Sequence, residues 1–166
     1  VIPSQFIPAV EKGVRQVLEG GAFAGFPIQD VRVTVYDGKY HAVDSKEIAF
    51  VSAGRKAFLE AIAKANPVVL EPIADVEITA PSDSMGDVAG DLSSRRGRVS
   101  NTDSLAAGVV AISGQVPLAE MEDYQSKLKS MTGGEGNFSM HFNAYEPAPL
   151  DVQKRLSNAF QRPEEE

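Results

Sequence analysis

Between residues 76 and 143 the chain twice repeats one order of patterning, strand then helix then strand, and this duplication restricts the fold more than any other feature. Val76 and Ile78 alternate with Glu77 and Thr79, the period-two signature of a strand with one buried face. Met85, Val88, Ala89 and Leu92 then recur at helical spacing over residues 84–95. Val99 opens a second strand, and the polar stretch Ser100 to Ser104 reads as a turn. Val109, Ala111 and Ser113 share one face of a third strand, and Val110, Ile112 and Gly114 share the other, with Pro117 as the stop. Met121, Tyr124, Leu128 and Met131 mark the next helix, closed by Gly133-Gly134. Phe138, Met140 and Phe142 alternate with Ser139, His141 and Asn143 in a fourth strand.

That order predicts a ferredoxin-like βαββαβ sandwich, with a right-handed crossover in each half. Two helices then cover one face of an antiparallel sheet, and the other face stays available. After Tyr145-Glu-Pro-Ala-Pro149, the spacing of Val152, Leu156 and Phe160 predicts a last helix packed back on the body.

The front of the chain reads differently. Phe6, Ile7, Val10, Val14, Val17 and Leu18 mark a helix that closes at Gly20-Gly21, with Pro8 near its start where a missing N–H costs little. Val31, Val33 and Val35 alternate with Arg32, Thr34 and Tyr36, which predicts a strand. Asp37-Gly38 is a tight-turn signal, and Tyr40 to Val43 continues as a short extended piece. Asp44 and Glu47 have capping-box spacing, with Ser45 as the alternative cap of a long helix carrying Ile48, Phe50, Ala53, Ala57, Phe58, Ala61 and Ile62. Asn66-Pro67 ends that helix. A lone strand cannot bury itself, so its partners must come from an N-terminal piece outside the chain, from residues 40–43 or from Val68-Val-Leu70. Glu71-Pro72 breaks the apolar run and marks residues 68–75 as a boundary.

Composition removes several function classes. The chain has no cysteine and two histidines, so neither a disulfide framework nor a structural zinc site is expected. No run is long and apolar enough to cross a bilayer, and no signal segment opens the chain. It begins at Val1, close to a helix, and reads as part of something longer. Gly133-Gly-Glu-Gly136 lacks the lysine and hydroxyl residue of a phosphate-cradling loop. Glu120 and Glu122 lie two apart and point to different faces of a helix, and no serine-histidine-acid set is spaced for catalysis. No catalytic, cofactor-binding or metal-binding residue is therefore assigned. A net charge of -7 argues against non-specific binding to nucleic acid but leaves room for a local basic contact. Residues 161–166 read as a solvated acidic tail.

Two segments are candidates for such a contact. Arg95, Arg96 and Arg98 crowd the end of the helix over 84–95, where Gly97 stands as the left-handed stop. They suit an anion or RNA, or Arg95 and Arg96 merely complement the helix dipole. In Asp37-Gly38-Lys39-Tyr40-His41, Gly38 permits a sharp reversal that makes Lys39, Tyr40 and His41 project. Tyrosine and histidine stack on bases or bond to backbone oxygens, and an ordinary turn with one tucked aromatic is the plainer alternative. His141 is expected either exposed on a sheet or satisfied in an interface. An RNA-recognition sheet is disfavoured because the third strand lacks matching aromatics.

Residues 1–160 resemble the C-terminal part of the bacterial translation elongation factor G family. The resemblance is carried, in the family's order, by Val1-Ile-Pro-Ser-Gln-Phe-Ile-Pro-Ala-Val-Glu-Lys-Gly13, Tyr36-Asp-Gly-Lys-Tyr-His-Ala-Val-Asp-Ser45, Lys64-Ala-Asn-Pro-Val-Val-Leu-Glu-Pro-Ile73, Met85-Gly-Asp-Val-Ala-Gly-Asp-Leu-Ser-Ser-Arg-Arg-Gly97, Val116-Pro-Leu-Ala-Glu-Met121 and Met131-Thr-Gly-Gly-Glu-Gly136. Ser45-Lys-Glu47 and Ser93-Ser-Arg-Arg-Gly-Arg98 look more like the second, less studied bacterial branch.

The resemblance implies an α+β chain. Residues 1–68 would be domain IV, a ribosomal protein S5 domain 2-like fold without its first strands, and residues 69–160 domain V, ferredoxin-like and including the last helix. It implies that GTP and Mg2+ belong to an N-terminal GTPase domain, with none held here. It further implies a cytoplasmic factor whose partners are the small-subunit decoding region, the large-subunit factor-binding region, and tRNA with mRNA. Asp37 to His41 would form the tip that enters the decoding region, with His41 on the motif's histidine. The isolated chain is expected to be a monomer or weak dimer, and no membrane is involved. Asn101 to Ala107 and Glu122 to Gln125 depart from the translocase pattern. They leave open a paralogue acting in ribosome recycling or an accessory step. A ferredoxin-like structural or regulatory module without RNA is the alternative from another class.

Overall fold

A computed structural model describes residues 2–43 and 45–160, and its contacts divide the chain into two units. The first comprises residues up to Val69 together with the segment from Pro149 onward, and the second is Leu70–Ala148.

In the first unit, α1 (Ile7–Gly20) buries Ala9, Val10, Gly13, Val14 and Val17, and α2 (Glu47–Lys64) buries Phe50, Val51, Gly54, Phe58 and Ile62. Ala9 and Val10 cluster with Phe50 and Val51, while Val14 and Val17 cluster with Phe58 and Ile62. The two helices therefore run side by side in the same direction, start against start. Gly54 makes the close approach possible, because a β-carbon there would stand 2.7 Å from the Val10 carbonyl oxygen. Gly21 ends α1 at φ 80, a backbone conformation that favours glycine.

Parallel helices need a long return, and residues 21–46 supply it. The valine alternation at 31–35 does not form the expected strand, nor do residues 40–43. The only sheet among the described residues lies wholly in the second unit, and none of its strands pairs with residues 31–35 or 40–43. Val31, Val33 and Val35 remain 42%, 43% and 45% exposed. The Asp44 capping assignment falls outside the described residues. The Ser45 alternative is not realised: α2 is preceded at its N-cap by Lys46, with no side-chain cap.

The second unit has the anticipated duplication. Strands β1 (Leu70–Pro81), β2 (Arg98–Ser104), β3 (Val109–Pro117) and β4 (Asn137–Pro147) form one antiparallel sheet in the order β2-β3-β1-β4. Helices α3 (Met85–Ser94) and α4 (Tyr124–Met131) cover one face. Ile78 and Ile112 pair across β1 and β3 and are fully buried with Val88, Leu92 and Leu128. The opposite face carries Asp75, Glu77, Ser139 and His141, all exposed.

Two strands are longer than their patterns suggest. β1 runs back through Glu71-Pro72, residues read as a boundary. Pairing with β3 begins only at Ile73, so Pro72 needs no N–H on that side. β2 extends through Ser100–Ser104, read as a turn. It is an exposed edge strand held by backbone pairing to β3, and it has no buried face to print a pattern.

The last helix, α5 (Leu150–Ala159), groups with the first unit and not with the sheet. The Gln153 side-chain oxygen accepts the Val69 N–H at 3.1 Å, which ties α5 to the segment after α2. The acidic tail at 161–166 lies outside the described residues.

Candidate functional site

The Asp37–His41 segment lies largely at the surface. Asp37, Lys39 and His41 are exposed, and Tyr40 is 41% exposed. The Asp37 carboxylate accepts the Gly38 N–H at 2.7 Å, but the tight turn expected at Asp37-Gly38 does not form: residues 31–41 run without a turn, and the chain turns at Ala42-Val43, where the Ser45 N–H reaches back to the His41 carbonyl. The Tyr40 ring leans on Phe6 with centroids 5.9 Å apart, and Phe6 stacks on Phe50 of α2 at 4.4 Å. Tyr40 is thus seated on the helix pair while His41 stands free of the core. The His41 N–H donates to Ser45 Oγ at 3.0 Å, and the Ser45 N–H donates to the His41 carbonyl at 3.1 Å. Neither the Phe6 anchor nor the Ser45 contact was singled out by sequence reasoning. The apolar position of Phe6 is its only sequence signal, and Ser45 signals only a helix cap.

The three arginines occupy different environments. α3 ends in a paired-bond stop: the Arg96 N–H reaches the Ser93 carbonyl at 3.1 Å and the Gly97 N–H reaches the Leu92 carbonyl at 2.8 Å. Arg96, at φ 60, takes the left-handed position anticipated for Gly97. Gly97 is required for a different reason, since a β-carbon there would stand 2.6 Å from the Leu92 carbonyl oxygen.

Arg95 bonds to Asp91 at 2.8 Å and to the Glu120 carbonyl at 2.5 Å, with its guanidinium 5.0 Å over the Tyr124 ring. Arg96 grips Glu71 with two bonds of 2.7 and 2.9 Å and Glu120 with one of 3.0 Å. These bonds raise the Arg96 pKa further above its ordinary value, the Glu71 bonds most of all. Arg98 makes only 3.5 Å contacts, with Gln115 and Glu146, and its side chain is 68% exposed against 18% and 33% for Arg95 and Arg96. Arg95 and Arg96 therefore fasten α3 to β1 and to the turn before α4, and Arg98 is the most accessible of the set. Glu71 and Glu146 sit opposite each other in register, a like-charge pairing that Arg96 and Arg98 relieve from either side.

On the exposed sheet face, one residue from each strand joins a polar chain. Arg98 of β2 contacts Gln115 of β3, Gln115 donates to Asp75 of β1 at 3.0 Å, and Asn143 of β4 donates to both Asp75 oxygens at 2.9 and 2.8 Å. The Asn143 bonds, then the Gln115 bond and the nearby His141, hold the Asp75 carboxyl below its ordinary pKa. His141 lies opposite Asp75 in register, on the surface expected for it.

Among the described residues, no group of three or more histidine or acidic side chains is arranged to hold a metal, and no helix is long and apolar enough to cross a membrane.

A ferredoxin-like sheet unit together with a unit built on a parallel helix pair points to the class: the paired C-terminal domains of an elongation factor G. Residues 1–66 match the family described as elongation factor G, domain IV, and residues 68–156 match the elongation factor G C-terminus. The chain belongs to the elongation factor G family. It is 47% identical over 156 residues to an elongation factor G-like protein of Thermotoga maritima, covering 94% of this chain and 23% of that protein. It is also 47% identical to elongation factor G of Aquifex pyrophilus, covering 94% of this chain and 22% of that protein. A crystal structure from Thermus thermophilus superposes with a TM-score of 0.78 at 37% identity, covering 95% of this chain and 24% of that one.

Proposed function

We propose that this chain is the ribosome-contacting C-terminal region of a cytoplasmic translational GTPase that promotes translocation of tRNA and mRNA. The observation that carries the reading is the exposed His41, displayed on a loop whose neighbours are anchored at Tyr40 and Ser45. A loop anchored in this way approaches an RNA target with little ordering cost. His41 contributes shape and hydrogen bonding there, with no acid-base step. The tip occupies the vacated decoding region and blocks return of tRNA and mRNA. Arg98 offers the second unit a cation for RNA near the large-subunit factor-binding region. GTP and Mg2+ are held by a GTPase domain outside the two domains matched here.

The test is His41→Ala in the full-length factor, with single-round translocation and ribosome-stimulated GTP hydrolysis measured together. Translocation is expected to slow far more than hydrolysis. Equal loss in both overturns the reading, as does no loss in either.

A second reading, a paralogue acting in ribosome recycling or an accessory step, is favoured by the Thermotoga relative, whose name is elongation factor G-like. Subunit splitting measured beside peptide synthesis separates the two. Splitting without support of synthesis selects the second.

A further inference from the structure

Ser45 lies one residue ahead of the N-cap of α2, a position occupied by Lys46 without a side-chain cap. Serine is a preferred N-cap residue and lysine is not. The Lys46 carbonyl accepts the first helical N–H groups, of Ala49 at 3.0 Å and Phe50 at 3.4 Å, as an N-cap carbonyl does with or without a side-chain cap. The Ser45 hydroxyl is turned toward the tip, where it accepts the His41 N–H at 3.0 Å, and the Ser45 N–H returns a bond to the His41 carbonyl at 3.1 Å. These two bonds close a ring on the backbone of His41. On the other side of His41, Tyr40 is held on the Phe6 ring. The backbone at His41, and with it the point from which the imidazole departs, is thereby held by two neighbours, and the hydroxyl of Ser45 is the one with no other structural task among the described contacts.

We propose that Ser45 is the positioning residue of the tip: its hydroxyl fixes the direction in which His41 is offered to the ribosome. The proposal rests on the reading of His41 as a ribosome contact and assigns a second residue to that contact. A serine that served only to begin α2 would stand at the N-cap and bond to the first turn. This one stands a residue too early and bonds backward.

The experiment compares Ser45→Ala, Ser45→Thr and His41→Ala. In the 166-residue chain, amide exchange of His41 is followed by NMR. In the full-length factor, single-round translocation and ribosome-stimulated GTP hydrolysis are followed. Ser45→Ala is expected to speed His41 exchange at least about tenfold, as for an amide released from its acceptor without global unfolding. It is expected to slow translocation toward the His41→Ala rate, and to leave hydrolysis and the thermal midpoint unchanged. Ser45→Thr, which keeps the hydroxyl, restores both exchange and translocation. Slow His41→Ala beside normal Ser45→Ala overturns the positioning role alone. Normal rates in both variants remove the tip reading itself. Failure of Ser45→Thr to restore, or unchanged exchange in Ser45→Ala, also overturns the role of the hydroxyl.

Discussion

Gly13 of α1 lies directly against the backbone of Val51 in α2: a β-carbon at Gly13 would overlap the Val51 carbonyl oxygen and stand 2.9 Å from the Arg55 nitrogen. Backbone cannot yield as a side-chain tip can. Gly13→Ala is expected to destabilise the first unit by about 1–3 kcal/mol, the usual cost of overpacking. Gly20, with nothing within 4 Å of its missing β-carbon, is the control. Gly20→Ala should be neutral or stabilising by up to about 1 kcal/mol. Urea unfolding followed by circular dichroism distinguishes the two.

Arg96 combines a left-handed backbone with ion pairs to Glu71 and Glu120. Arg96→Ala loses the pairs and keeps the backbone penalty, at a cost of about 1–3 kcal/mol. Arg96→Gly loses the same pairs but relieves the penalty, so it should be more stable than Arg96→Ala by about 1 kcal/mol. Equal stability of the two variants would show that φ at this position carries no strain. Denaturant midpoints of the second unit are the measurement.

Asp75 gives the second unit an acid dependence. Its folded pKa is depressed below the ordinary 3.8 by the Asn143 and Gln115 bonds and by His141. The stabilisation is fully present above the unfolded value and is lost as pH falls through the folded one. Asp75→Asn should flatten the fall in thermal midpoint below about pH 4, near the unperturbed aspartate pKa. An unchanged acid profile would rule out this carboxylate as a contributor.

Tyr124 is 1% exposed, and its hydroxyl is the one buried side-chain polar atom without a hydrogen-bond partner among the described residues. Burial, assisted by Asp91, pushes its pKa up to about 12. Because the folded value is raised, its contribution is intact below the unfolded pKa and disappears as pH rises through the folded one. Tyr124→Phe should leave stability at neutral pH equal or slightly higher, since an unsatisfied hydroxyl is removed and the ring contacts with Phe138 and Arg95 persist. It should also reduce the alkaline loss of stability, measured by thermal unfolding across the range above about pH 9, approaching the ordinary tyrosine pKa.

The ferredoxin-like unit was legible because its buried strands and helices keep one period over several residues, as Val76-Ile78 and Val88-Leu92 do. β2 was not, since an edge strand exposed along its whole length records no burial. The valines at 31–35 show the reverse: the pattern is clear, but a strand is a relation between two chains of backbone, and the second is not among these residues. The arginines expose a different limit. Spacing placed Arg95, Arg96 and Arg98 at one turn. It did not show that Glu71 and Glu120, distant in sequence, hold Arg96, because ion pairing depends on the sheet register. At the tip, Asp37-Gly38 signalled a turn that the chain makes only at Ala42-Val43, and Ser45 carried the ordinary signal of a cap but bonds back to His41.

The half-exposed valines at 31, 33 and 35 bear on how the isolated protein behaves in bulk. An extended, apolar and unpaired stretch attracts its own kind, and the net charge of -7 opposes that attraction at long range. Added electrolyte shortens the reach of the repulsion and leaves the stickiness intact. The colloidal stability of the chain is therefore set by ionic strength, with dilute buffers keeping it dispersed and concentrated ones drawing copies together.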